Sequence, residues 1–142
     1  MTAGEYFGRV GRIQREIIAK LDRVEEMESL INRCTTVISD MPGFHDPAKR
    51  EKQLAALIDM KREVLDIAND LALTEWEIRA MIKQLSDDRQ REVLERYYIN
   101  QESLDGIADA LGIKVRQVQR IKADALKESE STLRKEGQRD VW

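Results

Sequence analysis

The apolar residues in the first half of the chain recur in alternating steps of three and four, over two long stretches. This spacing places one continuous apolar line, here called the seam, along a single face of an α-helix. In the first stretch, from Glu5 to Ile38, Lys20 fills one vacancy in the seam. The other seam positions are Val10, Ile13, Ile17, Val24, Met27, Ile31, Cys34 and Ile38. The pattern predicts one amphipathic helix with a length of ~50 Å, at about 1.5 Å per residue.

A second stretch, which ends at about Leu85, repeats this period, with Lys61 and Glu75 as polar members of its seam. Its apolar members are Leu54, Leu57, Val64, Ala68, Leu71, Ile78, Ile82 and Leu85. Between the two stretches, Pro42-Gly43 signals a turn. Asp46-Pro47 is typical of an N-cap followed by proline at the first helical position. Two matched seams joined by a short turn predict a long antiparallel helical hairpin.

Thr74 and Glu77 have the spacing of a capping box, which would allow the second helix to break at this point. The alternative is an exposed Thr74 inside one continuous helix. Because the apolar seam continues through this position without interruption, the continuous helix is favoured.

Further apolar residues lie beside the seam of the first helix and widen its apolar face. They are Phe7, Ile18, Leu21, Leu30 and Val37. A hairpin of two helices would leave part of such a wide face in contact with water. We therefore expect a homodimer that forms through residues 5–85.

Beyond Leu85 the seam ends, and signals for shorter helices follow. Ser86-Asp87-Asp88 predicts the start of a new helix, since acidic residues in a first turn suit the helix dipole. The apolar positions of this helix are Val93, Leu94, Tyr97, Tyr98 and Ile99. Ser103 is the predicted N-cap of the next helix, which reaches Leu111, and Gly112 is its predicted C-cap.

The segment from Leu104 to Ala123 has the spacing of two short helices that cross at a steep angle. The positions that carry this spacing are Ile107, Ala108, Leu111, Gly112, Ile113, Val118 and Ile121. Ala108 is small enough for the second helix to approach, and Gly112 permits the backbone conformation of the turn. The segment predicts a helix-turn-helix, with Val115 to Leu126 as its recognition helix.

The face of the recognition helix opposite its core residues is basic. From Gly112 to Ala123 there are four basic residues and no acidic one. This face predicts contact with double-stranded DNA through its major groove. The predicted base-reading residues are Val115, Arg116, Gln119, Arg120 and Ala123, since arginine pairs with guanine, glutamine with adenine, and small apolar groups with the thymine methyl. The predicted phosphate contacts are Ser103, Lys114, Gln117 and Lys122. The alternative is a basic amphipathic helix in a protein–protein interface.

These signals predict an all-α fold with three parts. Residues 1–85 form a coiled-coil-like hairpin for oligomerisation or partner binding. Residues 86–130 form the helix-turn-helix domain. Residues 131–142 are expected to be a polar, flexible tail.

Composition limits the possible functions. The net charge is −3, so DNA binding has to come from a local patch rather than from a general positive charge. A single histidine, His45, and a single cysteine, Cys34, fit no zinc site of known spacing. The chain has no glycine-rich phosphate loop and no nucleophile motif. We therefore expect no catalytic residue, no metal site and no cofactor.

No signal peptide and no membrane-spanning segment are visible in the sequence. One cysteine permits no intrachain disulfide, which fits a reducing compartment. The expected location is the cytoplasm, without association with a membrane.

The stretch from Asp87 to Leu126 resembles region four of bacterial sigma factors. The resemblance rests on its opening segment, Arg91-Glu92-Val93-Leu94-Glu95-Arg96-Tyr97-Tyr98, and on the run from Ile113 to Leu126. A long helical part ahead of one such module looks like the sigma-like, ArpU/RinA-type transcriptional regulators of phages of Gram-positive bacteria. The resemblance implies sequence-specific promoter binding that activates phage genes through host RNA polymerase. It also implies a location in the cytoplasm of a bacterial host, in association with the nucleoid.

This chain departs from the sigma pattern at several points. It has no region-two-like segment, so we do not expect it to melt promoters by itself. Lys114 replaces the Ser or Thr that often precedes the recognition helix. Val115 and Gln119 stand where primary sigma factors usually carry arginine, so the target sequence is expected to differ from the standard one.

Two other classes of function remain open. One is the small subunit of a phage DNA-packaging terminase, although its DNA-binding module usually precedes the oligomerisation part. The other is an adaptor that binds polymerase or a sigma factor and never contacts DNA. The acidic balance favours the adaptor, whereas the helix-turn-helix pattern disfavours it.

Overall fold

The computed structural model describes the backbone of residues 1–39 and 47–139, and the side chains of residues 1–33 and 47–136. All regular structure in these residues is helical, which confirms the predicted all-α fold. The helices are α1 (Ala3–Ser39), α2 (Pro47–Lys83), α3 (Asp88–Leu94), which continues into a π-helical turn (Glu95–Ile99), α4 (Leu104–Leu111) and α5 (Val115–Arg139). None of these helices is long and apolar enough to cross a membrane.

The chain divides into two compact units. The central unit is residues 13–70, and the terminal unit combines residues 1–12 with residues 71–142. The predicted turn at Pro42-Gly43, the cap at Asp46, His45 and the side chains of Cys34, Val37 and Ile38 lie outside the described residues. The functional division into residues 1–85 and 86–130 stays a prediction.

Two ion pairs show that the helices of the central unit run antiparallel. Lys20 Nζ lies 2.9 Å from Glu63 Oε2, and Lys61 Nζ lies 2.8 Å from Glu28 Oε1. As the position on α1 rises, the position of its partner on α2 falls. The structure therefore contains the predicted antiparallel helical hairpin.

The predicted seam of α1 is confirmed by burial from Val10 to Ile31, the part whose side chains the structure describes. Val10, Ile13, Val24 and Ile31 are buried, and Ile17, Lys20 and Met27 are half-buried. Lys20 occupies its polar vacancy because its four-carbon stem covers apolar surface while its ammonium group reaches Glu63.

The predicted seam of α2 is correct at only part of its positions. Leu57, Val64 and Leu71 are half-buried, and Ile78, Ile82 and Leu85 are buried. Between them, the positions that turn inward are Met60, Ile67, Thr74 and Met81, whereas Leu54, Lys61 and Ala68 are exposed. Leu57, Val64 and Leu71 are common to the predicted and the observed face. The prediction paired each of them with the residue three positions earlier, whereas in the structure the residue three positions later turns inward.

Thr74 corrects the prediction in a second way. The helix α2 runs through it without a break, as favoured, but Thr74 is buried with 6% of its surface exposed. A helical threonine can be buried because its hydroxyl is able to bond to a carbonyl of the preceding turn.

The core of the terminal unit joins parts of the chain that are far apart in sequence. The first turns of α1 contribute Phe7 and Val10, which are fully buried with Ile78, Leu94 and Tyr98. Arg9 Nη2 also lies 3.1 Å from Glu77 Oε2 at the surface of this unit. The start of α1 is therefore part of the same core as the predicted helix-turn-helix.

Residues 131–139 of the predicted tail are helical in the structure. Helix α5 continues to Arg139, Ser129 is 1% exposed, and Leu133 packs against the core that contains Phe7. The hydroxyl of Ser129 donates to the carbonyl oxygen of Ala125 at 2.8 Å, so its one polar group has a partner inside the core. Leu133 is the one large apolar residue described in this segment, and its contact with core residues far away in sequence cannot be inferred from the local composition.

Candidate nucleic-acid interface

The turn between α4 and α5 is closed by a Schellman motif. Gly112 has φ 67° and ψ 33°, the left-handed conformation that glycine adopts without steric cost. Its N–H donates to the carbonyl oxygen of Asp109 at 3.3 Å, and the N–H of Ile113 donates to that of Ala108 at 3.0 Å. This pair of bonds ends α4 and sets the direction in which α5 leaves the turn, as the sequence predicted for Gly112.

The starts of the surrounding helices are capped as predicted. The Oγ of Ser103 accepts from the N–H of Gly106 at 3.0 Å. Asp87 Oδ1 accepts from the N–H of Arg89 at 2.8 Å and from that of Gln90 at 3.3 Å. These side chains satisfy amide groups that a helix leaves without an internal partner.

A small apolar cluster holds the two helices of the motif together. Val93, Ile107, Ala108 and Val118 are buried in it. Partly buried residues that pack against this cluster include Tyr97, Leu104, Leu111, Ile113, Val115 and Ile121. The residues predicted to seat the second helix therefore do so, and α5 presents one fixed face to solvent.

Helix α5 begins with half of a capping box. Lys114 occupies the cap position without a side-chain acceptor. The side chain of Gln117 compensates in part, because its Oε1 accepts from the backbone N–H of Lys114 at 3.4 Å. This is the reciprocal bond of a capping box, made from the third helical position back to the cap. The Lys114 side chain is exposed at the first turn of α5.

The exposed face of α5 carries most of the predicted base-reading residues. Arg116, Gln119, Arg120 and Ala123 are all exposed, and their steps of three and four place them on one side of the helix. Within the described part of the chain, neither Arg116 nor Arg120 belongs to an ion pair. Both guanidinium groups are therefore available to bind an external acceptor.

Lys127 was not predicted as a DNA contact from the sequence. It follows Ala123 by one further step of four and is exposed on α5, so it extends the basic face by one turn. Continuing the same period beyond Ala123 would have found it.

Val115 and Lys122 lie differently from the other predicted DNA contacts. Val115 is half-buried against the apolar cluster, at the edge of the exposed face. The Nζ of Lys122 lies 3.9 Å from the ring centroid of Tyr97 and 5.7 Å from that of Tyr98. A cation over an aromatic face is attracted by the ring, so Lys122 connects α5 to the π-helical turn instead of extending into solvent.

The π-helical turn and the loop after it set the position of α4. The N–H of Asn100 donates to the carbonyl oxygen of Glu95 at 3.1 Å, which is the spacing of a π-helix. Arg96 forms ion pairs with two carboxylates. Its Nε lies 3.2 Å from Glu92 Oε1, and its Nη1 lies 3.1 Å from Glu102 Oε1. The charge of Glu102 is the main reason that the Arg96 pKa lies above its usual value.

Tyr98 has the most strongly shifted pKa among the described residues. Burial, followed by the nearby Tyr97, raises the pKa of Tyr98 to about 12. Its ring lies 5.5 Å from that of Phe7, between centroids. The phenol is therefore a neutral core group and takes no part in a charged binding surface.

This geometry defines a class of protein: a helix-turn-helix module with an exposed basic recognition helix. Residues 81–128 match the family model of sigma-70, region 4. The match covers less than half of the chain, from the end of α2 into α5, and includes every predicted DNA-contact residue. It indicates a DNA-binding helix-turn-helix of the sigma region-four type. A search of curated proteins gave no match, and a search of solved structures gave none either.

Proposed function

We propose that this protein is a sequence-specific DNA-binding transcription regulator, and that α5 is its recognition helix in the major groove. The observation that carries the proposal is the exposed face of α5 with the unpaired side chains of Arg116 and Arg120. An exposed basic face that follows a tight turn is how helix-turn-helix proteins present their recognition helix. The family match to residues 81–128 supports the same function.

The side chains on this face favour a particular kind of base contact. Arg116 and Arg120 each have the fork geometry that pairs with the O6 and N7 atoms of guanine, and Gln119 can pair with adenine. Ala123 offers a methyl group to thymine. Val115 lies at the edge of the core, so its contribution is limited to an apolar contact beside these residues.

Phosphate contacts position the helix without reading sequence. We assign this role to Ser103, Lys114 and Gln117, which lie at the starts of α4 and α5, and we add Lys127. Lys122 was assigned to phosphate from sequence. Its ammonium group is engaged by Tyr97, so we now assign it a positioning role within the module.

The finer role that we propose is that of a phage or prophage activator that acts with host RNA polymerase. Its support is the resemblance to sigma region four together with a long helical part in place of region two. Polymerase retention without any DNA footprint would instead favour the adaptor function.

We also propose that the regulator acts as a homodimer through residues 5–85. In the central unit, apolar side chains lie exposed on α1. Ile18 is 59% exposed, Leu21 44% and Leu30 56%. A second copy that covers them would remove this apolar surface from water. Sedimentation that shows only a monomer at micromolar concentration would contradict this part of the proposal.

The DNA-binding function can be tested with duplex binding as a function of salt. Arg116→Ala and Arg120→Ala should each weaken binding about tenfold, since a charged contact is worth about 1–3 kcal/mol. The matched control is Arg134→Ala, which removes an exposed arginine from the same helix more than three turns beyond Arg120. It should change affinity less than about twofold. Unchanged affinity in both test variants would exclude this face.

A further inference from the structure

Helix α2 carries a second apolar line that its own hairpin leaves uncovered. Leu54 is 40% exposed, Ile58 53%, Leu65 64% and Trp76 72%. Ala72 is exposed as well. At 3.6 residues per turn these five positions fall on one side of α2, away from the side that carries the buried Thr74 and Ile78. We call them the outer stripe.

The spacing of the outer stripe is the same in both directions along the helix. From Leu54 to Trp76 its steps are four, seven, seven and four residues, and Leu65 is at the centre. Two identical helices that pack antiparallel about a two-fold axis place each residue opposite its mirror position. We propose that the outer stripe is a self-association surface, on which α2 of a second copy packs antiparallel with Leu65 at the two-fold axis.

The mirror positions are compatible in size and charge. Leu54 faces Trp76 of the second copy, which pairs two large apolar residues, and Ile58 faces Ala72, which pairs a large residue with a small one. Lys61 faces the neutral Asn69. No two like charges stand opposite each other along the stripe, and like-charged pairs are what a self-complementary helix face has to avoid.

The charges beyond the ends of the stripe are complementary. Glu51 and Arg79 lie at equal distances from Leu65 on opposite sides, so that each faces the other across the two-fold axis. Arg79 already lies 2.8 Å from Glu95 within its own chain, and Glu51 of the second copy would add a second carboxylate to it. A shared guanidinium fixes register because a shifted pairing separates the charges.

A second copy explains the pattern better than an unrelated partner does. An unrelated helix needs an apolar face but has no use for a spacing that reads the same in both directions, whereas a two-fold interface requires it. The inference rests on the homodimer of the proposed function but assigns its interface to α2, so the exposed apolar residues of α1 are not part of this contact. It does not depend on DNA binding. Exposed tryptophan is also among the side chains that contribute most to protein interfaces.

Cysteine cross-linking tests the arrangement directly. Cys34 is the only native cysteine, so all variants are made in a Cys34→Ser background of the full chain. Leu65→Cys should form a disulfide-linked dimer on mild oxidation, because a residue at the axis meets its own copy. Ile58→Cys alone should not, since its copy lies 14 residues, or about four turns, further along the helix. A mixture of Ile58→Cys and Ala72→Cys chains should cross-link with each other.

Sedimentation of Leu65→Glu is the second measurement, and it should convert a micromolar dimer into a monomer. The exposed Arg62→Glu on the same helix is the control and should remain dimeric. Three outcomes would overturn the inference: a dimer that survives Leu65→Glu, a dimer in which Ile58→Cys cross-links with itself as well as Leu65→Cys does, or a wild-type monomer. The first two would leave a homodimer through another face, and the third would also overturn the homodimer. Duplex binding, measured separately, decides the DNA-binding function.

Discussion

Gly11 lies so close to the side chain of Gln101 that a methyl group on Gly11 would stand 2.9 Å from Gln101 Oε1. Gln101 is the one residue other than glycine with positive φ in the described chain, at 57°. Its side-chain amide donates to the carbonyl oxygen of Tyr98. The first helix of the chain and the loop before α4 are therefore in direct contact at a glycine.

The first prediction compares two glycines of α1. Gly8→Ala should raise the free energy of unfolding by about 0.5–1 kcal/mol, because nothing lies within 4 Å of the added group and alanine favours helix. Gly11→Ala should not gain this, since the new methyl displaces the Gln101 amide and costs its hydrogen bond, about 1 kcal/mol. Chemical denaturation of both variants measures the difference. Equal stabilisation would show that the contact at Gly11 is loose.

The second prediction concerns the start of α1. Phe7→Ala should lower the free energy of unfolding by about 3–5 kcal/mol, as expected for a fully buried aromatic residue. It should also weaken DNA binding, because Phe7 shares a core with Leu94 and Tyr98. Arg12→Ala, which changes an exposed residue, is the control and should have little effect. If Phe7→Ala were as stable as the wild type, the start of α1 would not contribute to the core that contains Leu94 and Tyr98.

The third prediction is a loss of stability at high pH that depends on Tyr98. Its pKa of about 12 in the folded protein exceeds the ordinary value of 10.0, so the folded state retains the proton over this range. The resulting stabilisation, about 3 kcal/mol at most, is complete below pH 10 and is lost as the pH rises from 10 to 12. Tyr98→Phe should lose less stability over the same interval. Parallel curves for the two proteins would contradict the perturbed pKa.

The fourth prediction assigns different roles to Lys114, at the start of α5, and Lys122, on α5. Lys114→Ala should weaken DNA binding and reduce its salt dependence by about one phosphate contact. Lys122→Ala should instead lower the free energy of unfolding by about 0.5–2 kcal/mol, through loss of its contact with Tyr97. Its salt dependence should stay near that of the wild type. A lower salt dependence of DNA binding in Lys122→Ala would instead support the original prediction that Lys122 contacts phosphate.

Sequence patterns were sufficient where one local signal determined the structure. Gly112 at the turn, Ser103 as a cap, the cap within Ser86-Asp87-Asp88, and the seam of α1 from Val10 to Ile31 were predicted, because capping chemistry and helical period act over a few residues. The exposed face of α5 followed from the same period once Val118 and Ile121 were assigned to the core.

The remaining features depend on contacts between distant parts of the chain. Met60 and Ile67 take the inward positions of α2, and Leu54 does not, because the packed face depends on what the partner helix presents. Lys122 was predicted to contact phosphate because no residue near it in sequence indicates its contact with the ring of Tyr97. Likewise, no local signal places Phe7 in the same core as α3.

The central claim is that the exposed face of α5 reads DNA sequence. It is tested most directly by selecting bound duplexes from a randomised pool with the full-length protein and with its Arg116→Ala and Arg120→Ala variants. The wild type should enrich one motif that contains guanine, and each variant should lose preference at a different base pair, at a cost of about 1–3 kcal/mol. An unenriched pool for the wild type, or the same motif recovered by all three proteins, would contradict the claim.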